Sequence, residues 1–565
     1  MDIHRRVPCS RGAALRKFLE LEWADALARG AALVPRAVYL AFTISLAVTI
    51  VCWFYDLAQF PLGDHDVGYQ SGIPLLSGGR SGRWFAPAMY LFSGYVQIPV
   101  WTQLLAFGTQ IAAGMCAAYL WLGKTDFPPL LAGGLLLSCM PTAADFYYYH
   151  WQAPTFTACQ LLMALSILAV RPSARPKGKT SAIILSTILA TCAIALYQSS
   201  VMTWSVLFFG CILLHLLRTG QARAKDLLAA FGPSLAAFAA ACLLYAASLR
   251  LYPLAGFFLE GEYQFRTLSA DGMLRRIPDI VRAAYAHFFV IQPFMGPWLK
   301  ALLLFVSVGG FIALTHEARA RKPASGRVIF LVLGMLLLPV AAKSQFFVSA
   351  GESFYLFRFT SLGLNYVYLF FLLALFGSGS VKARNAGLAL GILLLPAMIV
   401  NCLQQQVLHV RSNTHDIATL NRVVMRMEEL PGFSLDKTWN LVQFGRTAPY
   451  MARTYASRYD ADGLSGFNGT ISQVWRPGFA LRLIEADLKL AERMNEYGTS
   501  SPDILRKAVS FAEGKKSFPA PGSIGLVDDI IVLVLDERAV EIARTRLARA
   551  DVRPPEHEAG IMKTN

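Results

Sequence analysis

Apolar residues recur in runs of around 20 between positions 37 and 402, separated by short polar connections. A helical run of this length spans about 30 Å, which is the thickness of the hydrocarbon core of a bilayer. The pattern therefore predicts a polytopic α-helical membrane protein with about 11 transmembrane helices. We expect these helices at 37–56, 97–121, 128–142, 153–170, 181–198, 201–217, 227–250, 298–315, 328–342, 361–377 and 386–402.

The tail, 403–565, differs from the rest because it gains charge and has no run long enough to cross a bilayer. Helical periodicity recurs three times in it, at 412–429, 478–497 and 537–549. The apolar run 530–535 is typical of a β-strand and follows the turn-rich stretch 519–523. Since about 160 residues can bury a core of their own, we expect a small C-terminal α/β domain here.

The distribution of cations predicts the orientation of these helices. A basic, amphipathic arm, 1–36, precedes the first apolar run, and most other cations lie in alternate short connections. Cytoplasmic connections carry the excess of Lys and Arg, so this arm is expected in the cytoplasm and an odd number of helices sends the tail to the outer side. The formal net charge of +16 is therefore explained by topology, and we expect no nucleic-acid partner.

Composition and missing motifs exclude several classes of protein. The 565 residues are 55% hydrophobic and only 16% charged, with a mean hydropathy of +0.45, which excludes disorder and an ordinary soluble enzyme. The nine cysteines show no metal-binding spacing, and the chain has no Walker, dinucleotide-binding or HExxH motif. If the protein is an enzyme, its substrates approach from the outer side or within the bilayer, because the cytoplasmic connections are too short for a nucleotide-binding domain.

The first outer loop, 57–96, contains the densest polar chemistry. Its acidic motif consists of Asp64, His65 and Asp66, and Arg80, Arg83 and Trp84 follow. A carboxylate at a membrane surface can accept a proton from a hydroxyl nucleophile, and guanidinium groups can hold a phosphate by bidentate hydrogen bonds. The alternative is structural, with the aspartates capping an interfacial helix and the arginines contacting lipid headgroups.

Other outer segments add candidate binding residues. Tyr149 and His150 lie in the aromatic stretch 145–152, which suits either a sugar-binding platform or an interfacial aromatic belt. Gln198 follows Tyr197 at a helix end and can bind a ligand or link two helices. Arg358 lies at a membrane boundary, where it can bind a lipid phosphate or extend to the interface. An amphipathic helix is expected on the interface over 274–290.

These motifs, in this order and with this topology, resemble those of the bacterial O-antigen glucosyltransferases of Gtr type II, within the broader C-type, lipid-sugar-dependent glycosyltransferases. The resemblance covers nearly the whole chain. The matching pieces are Asp64–Gly68, Gly79–Trp84, the Tyr197-Gln198 pair, the 413–416 motif before a helix and the 518–523 stretch before the final strand. The family's acidic motif commonly has two adjacent carboxylates, whereas His65 separates them here.

The resemblance implies a transferase that moves a hexose, glucose first, from a polyprenyl-phosphate donor to a hydroxyl of O-antigen or another surface glycan. It implies a multi-pass protein of the bacterial inner membrane that acts on the periplasmic face, and partners that include a small flippase and a donor-synthesising transferase. The implied roles are a base, a group of phosphate ligands and a group of sugar or acceptor ligands. The base is Asp66 or else Asp64. The phosphate ligands are Arg80, Arg83 and Arg358, and the sugar or acceptor ligands are His65, Trp84, Tyr149, His150 and Gln198.

The sequence identifies no cofactor, and the need for a divalent cation stays open. Two alternatives also stay open: an O-antigen polymerase-like enzyme, and a transporter or flippase of lipid-linked sugars. A polymerase of this kind typically relies on a large arginine-rich outer loop, which 251–297 matches only in part. A transporter of lipid-linked sugars needs cationic residues along a continuous path, and the apolar runs carry no charges in their middles.

Overall fold

The computed structural model of the chain describes twelve parts of the sequence. They are 34–61, 82–93, 98–170, 179–219, 224–251, 270–289, 295–320, 325–347, 360–445, 481, 484–491 and 501–552.

Each of the eleven apolar runs contains an α-helix in the structure. In chain order these are α1 (Arg36–Cys52), α4 (Pro99–Leu122), α5 (Phe127–Ser138), α7 (Ala153–Ala169), α8 (Lys179–Leu196), α9 (Val201–Thr219), α10 (Ala224–Leu251), α12 (Pro297–Ala320), α13 (Ser325–Ala341), α14 (Asn365–Gly377) and α15 (Val381–Glu428). Three short helices lie between them: α2 (Phe54–Gln59), α3 (Ala86–Tyr90) and α6 (Ala144–Tyr147). The helix expected over 274–290 is α11 (Ala270–Phe289), and its location on the membrane interface stays a prediction.

Length and apolarity qualify six described helices as membrane spans, or seven when a bent pair is counted as one span. Four further apolar helices are shorter than this criterion requires: α1, α7, α8 and α13. The chain is therefore a mostly helical membrane protein, and the total of about 11 spans stays a prediction.

Close packing of small residues and paired amides holds the helices together. The backbones of α4 and α5 touch at Gly114 and Gly133, where an added Cβ would lie 2.1 Å or 2.5 Å from the facing carbonyl oxygen. One turn before Gly114 on α4, the Gln110 side chain accepts from the Gln160 amide of α7 at 2.9 Å. At the centre, α14 is buried from Asn365 to Leu375. Small-residue contacts and side-chain hydrogen bonds are the usual means of joining helices in lipid.

Two helix breaks shape one end of the bundle, the end that is predicted to face outward. Between Ser138 and Pro141 the chain bends by 50° into α6, which carries the aromatic stretch inward. A 3₁₀ turn at Gln198–Ser200 separates α8 from α9, where the polar Tyr197–Ser200 sequence predicts a boundary.

The last helix is longer than the sequence pattern indicated. The structure merges the predicted helices 386–402 and 412–429 into α15, a continuous helix of 48 residues. The 413–416 motif therefore lies inside a helix and not before one, because 403–411 contains no proline or glycine that would end it.

The tail contains a three-stranded sheet in the order β1-β3-β2, formed by β1 (Asn440–Phe444), β2 (Ile524–Val527) and β3 (Ile530–Val534). The strand predicted at 530–535 is confirmed as β3, which pairs parallel to β1 and antiparallel to β2. The 518–523 stretch precedes β2 and not the final strand.

Both faces of β3 are buried, which explains its continuous apolar sequence. One face packs against the end of α15, through residues such as Leu420 and Met427. The other face packs against two helices, α16 (Pro502–Ala512) and α17 (Glu537–Val552).

The helix predicted at 478–497 is wrong over 485–491. Leu490 instead forms an isolated parallel bridge to Trp439. That the tail is a separate periplasmic domain stays a prediction.

Candidate functional site

A buried carboxylate follows the C-terminal end of the first apolar helix. The helix α1 ends at Cys52, and Asp56 belongs to α2, which terminates at Phe60 in a left-handed conformation with φ 43°. Gln406 of α15 holds this junction, since its Oε1 accepts from the Asp56 N–H at 2.9 Å and its Nε2 donates to the Cys52 carbonyl at 2.7 Å. The final helix therefore fixes the position of Asp56.

Two imidazoles flank the Asp56 carboxylate. Its Oδ2 lies 3.5 Å from His150 Nε2, and its Oδ1 lies 3.8 Å from His409 Nδ1. All three side chains are at most 2% exposed. The Phe60 ring lies 4.2 Å from the His150 ring and the Tyr148 ring 4.0 Å from the His409 ring, measured between centroids. Shielded in this way, Asp56 can fix the tautomer and orientation of His150 and stabilise its protonated form.

A second polar group fixes the end of the first outer loop. Gly82 has a φ of +76°, and its carbonyl accepts from the Tyr245 hydroxyl at 3.1 Å. That hydroxyl in turn accepts from Gln198 Nε2 at 2.9 Å. The predicted sugar ligand Gln198 is thereby held beside the loop that carries Arg83 and Trp84.

Arg83 and Trp84 are anchored to different helices. The guanidinium carbon of Arg83 lies 4.8 Å from the centre of the Tyr197 ring, within cation–π distance. The Trp84 indole N–H donates to the Ser248 hydroxyl of α10 at 2.9 Å. Both side chains are only partly buried, so they can still contact a ligand.

Phe156 of α7 connects the two polar groups. Its ring packs edge-on against Tyr197 at 4.8 Å and against Tyr149 at 6.0 Å. The predicted residues Arg83, Tyr149 and His150 are therefore brought to one end of the bundle.

The aromatic stretch lies in the protein interior and not in a lipid-facing belt. Its rings at 147, 148, 149 and 151 are at most 3% exposed. The interfacial-belt alternative is therefore wrong for these side chains, and the proposed contact of Tyr149 and His150 with a sugar stays a prediction.

The remaining predicted site residues lie outside the described part of the chain. They are Asp64, His65, Asp66, Arg80 and Arg358. Among the described residues, no group of three or more His, Cys, Asp or Glu side chains is arranged to hold a metal ion. The roles predicted for the acidic motif and for these two arginines therefore stay predictions.

Sequence reasoning missed Asp56 and His409. Asp56 was counted as the end of an apolar run, and His409 lies about 350 residues away in the chain. A sequence signal for His409 was present, because the polar residues at 405, 406, 409, 413 and 416 recur at helical spacing. In the structure all five are buried on α15.

Comparison with known proteins identifies the family to which this arrangement belongs. A family model described as "Glucosyl transferase GtrII" matches residues 71–376, more than half of the chain. The matched range includes Arg83, Trp84, Tyr149, His150 and Gln198, and begins just after the acidic motif. No curated protein matches the sequence.

Among solved structures, the chain resembles the crystal structure of the Archaeoglobus fulgidus oligosaccharyltransferase tethered to an acceptor peptide. The two are 11% identical with a TM-score of 0.36, over 90% of this chain and 68% of the other. A likeness of this strength assigns neither residues nor activity to this chain.

Proposed function

The chain belongs to the glucosyl transferase GtrII family and is a membrane glycosyltransferase, and from this premise we propose its donor, acceptor and catalytic residues. The donor is a polyprenyl-phosphate-linked hexose, glucose first, and the acceptor is a hydroxyl of O-antigen or another surface glycan. The reaction takes place on the periplasmic face of the bacterial inner membrane. The observation that carries this proposal is the family match, whose range extends across the predicted residues from Arg80 to Arg358.

The proposed reaction is a single displacement at the sugar. Asp66, or else Asp64, takes the proton of the acceptor hydroxyl as its oxygen attacks the anomeric carbon. The bond from that carbon to the phosphate oxygen breaks, and its electron pair leaves with polyprenyl phosphate. Because the donor carries its own leaving group, no nucleotide is needed at the site.

Arginines stabilise the developing phosphate charge in this proposal, with Arg80, Arg83 and Arg358 as the candidates. The position of Arg83 supports its part, since the Gly82–Tyr245 hydrogen bond and the Tyr197 ring orient it. An arginine held in advance loses little conformational freedom when it binds phosphate.

Sugar and acceptor are oriented by His65, Trp84, Tyr149, His150 and Gln198. The buried contact between His150 and the Asp56 carboxylate supports a role for Asp56 as a positioning residue.

Sugar transfer in membranes supplied with labelled polyprenyl-phosphate glucose tests this function. Wild type is compared with Asp64→Asn and Asp66→Asn, and with Asp279→Asn as a control, because Asp279 is a carboxylate of α11 that is 56% exposed. We expect the label to reach a glycan with wild type and the control, and to be lost in one acidic-motif variant at unchanged protein level.

Two other results would contradict parts of the proposal. Full transfer by both acidic-motif variants would remove the base from the first loop. No transfer by wild type, together with movement of the labelled lipid across the membrane, would favour a flippase.

A further inference from the structure

Two lysines and a histidine from three elements are buried in the protein interior, where α11 packs against α13 and against the turn at 344–347 that follows Lys343. Lys300 lies in the first turn of α12, Lys343 follows the end of α13, and His287 lies in the last turn of α11. Their side chains are 7%, 1% and 2% exposed, respectively. The Lys300 ammonium donates to the backbone carbonyl of His287, which joins α12 to α11. These three residues are called the cationic cluster below.

Aromatic rings line the cationic cluster. The Phe346 ring centre lies 5.8 Å from the Lys343 ammonium. The His287 ring lies 5.9 Å from that of Tyr368 on the central helix α14. Rings of this kind exclude water, and a shielded charge interacts strongly with an opposite charge.

The charges of the cluster act on one another. The pKa of the His287 imidazole is lowered well below its usual value, first by burial and then by the positive charges of Lys300 and Lys343. Burial lowers the pKa of the Lys343 ammonium to about 7. His287 is therefore neutral near pH 7, and the positive potential at this point comes from the two lysines.

Nothing described near Lys300 offsets its charge. Within the described part of the chain its polar partner is a neutral carbonyl, that of His287. Its place in the first turn of a 24-residue helix adds the positive end of the helix dipole. A buried cation in that position is unfavourable unless an anion binds beside it.

Exposed apolar side chains flank the cluster on both sides in the sequence. Phe289, two residues after His287, is 72% exposed, and Trp298, two residues before Lys300, is 82% exposed. Large apolar groups that face outward from a membrane protein contact lipid chains, so the elements that carry His287 and Lys300 border the bilayer at these two positions. A free phosphate ion would gain nothing from such surroundings.

We propose that Lys300, Lys343 and His287 form a binding site for the phosphate group of a polyprenyl phosphate, whose chain leaves past Phe289 and Trp298. The inference rests on the proposed function for the identity of the lipid. It extends that function, because these residues add to the arginines already named as phosphate ligands.

Binding to the full-length protein in phosphatidylcholine nanodiscs tests the inference without sugar transfer. The probe is polyprenyl phosphate lacking a sugar, and phosphatidylglycerol and inorganic phosphate are titrated separately. Lys300→Met and Lys343→Met remove a charge at nearly constant volume. Arg282→Met, on α11 with a side chain 75% exposed, controls for general attraction of anions.

We expect polyprenyl phosphate to bind wild type and Arg282→Met with the same Kd. Each lysine variant should bind it at least about tenfold more weakly, because a charge-assisted hydrogen bond is lost. Phosphatidylglycerol and inorganic phosphate should bind weakly to every form. Unchanged Kd values in both lysine variants, or equal binding of phosphatidylglycerol, would overturn the inference.

Thermal unfolding without added lipid separates a binding role from a structural one. Replacing a buried charge by an apolar side chain of similar size is often neutral or stabilising, so both lysine variants should melt at or above the wild-type temperature. Lower melting temperatures in both would assign the lysines to the fold and overturn the inference. Lipid binding at the cluster without any sugar transfer would sustain the inference and contradict the proposed function.

Discussion

Replacing Gly82 by alanine should disrupt the hydrogen bonds that fix Arg83. The φ of +76° at Gly82 suits glycine, and an added Cβ would lie 2.8 Å from the Tyr245 hydroxyl oxygen and 3.1 Å from Gln198 Nε2. The left-handed conformation costs alanine about 1–2 kcal/mol. Displacing Tyr245 loses its two hydrogen bonds, about 1 kcal/mol each. We therefore expect the free energy of unfolding to fall by about 3–4 kcal/mol.

A double-mutant cycle tests whether the cost arises from this contact. Tyr245→Phe removes the hydroxyl and its two hydrogen bonds, which should cost about 2 kcal/mol. The Gly82→Ala, Tyr245→Phe double variant should also cost about 3–4 kcal/mol, because the clash is relieved and only backbone strain is added. The sum of the two single-variant losses in unfolding free energy would then exceed the loss in the double variant by about 2 kcal/mol.

Unfolding in mixed micelles, followed by tryptophan fluorescence, measures these free energies. Transfer kinetics measured in parallel should show a raised KM for the donor in Gly82→Ala, since Arg83 is the next residue. Additive effects, within about 0.5 kcal/mol, would refute the reasoning. An unchanged KM for the donor would show that the Gly82 turn does not position Arg83 for donor binding.

Three further predictions concern other parts of the molecule. Because burial lowers the pKa of Lys343 to about 7, polyprenyl phosphate should bind up to about tenfold more weakly at pH 8 than at pH 7, as the ammonium loses its proton. The Lys343→Arg variant should show no such decline over this interval. Asp56→Asn should lower the initial rate of sugar transfer about tenfold, and adding His150→Ala should lower it little further, since the two residues act as a unit. A rate loss in the double variant equal to the product of the two single losses would contradict this. Gly114→Ala should lower the free energy of unfolding by about 1–3 kcal/mol, because the added Cβ pushes α5 away. Gly391→Ala is the control in the same assay and should be neutral or stabilising, because the space around its Cβ is open.

Local signals explain which parts of the fold were predictable. Apolar runs predicted helices at the right places because a backbone in lipid must satisfy its own hydrogen bonds. Tyr197–Ser200 predicted a helix boundary from polarity alone. The strand at 530–535 was predictable because β3 is buried on both faces.

Long-range contacts explain what was missed. The strand β1 is short, and its apolar residues become meaningful only when β3, some 90 positions later, pairs with it. Asp56 was hidden at the end of an apolar run, and nothing nearby in the sequence indicates His409 as its neighbour. The Lys300–Lys343–His287 cluster likewise forms from three elements whose packing no local pattern specifies.

The junction between α2 and α15 also has a consequence for biosynthesis. Asp56 leaves the ribosome 350 residues before Gln406, which hydrogen-bonds to its backbone. At ordinary elongation rates this interval lasts roughly 20–70 s. Throughout that time the carboxylate lacks the helix that shields it, so the nascent chain must keep this end of α1 near water. The proposed site is then completed only when the last membrane helix is inserted, and this predicts activity only in fully integrated chains.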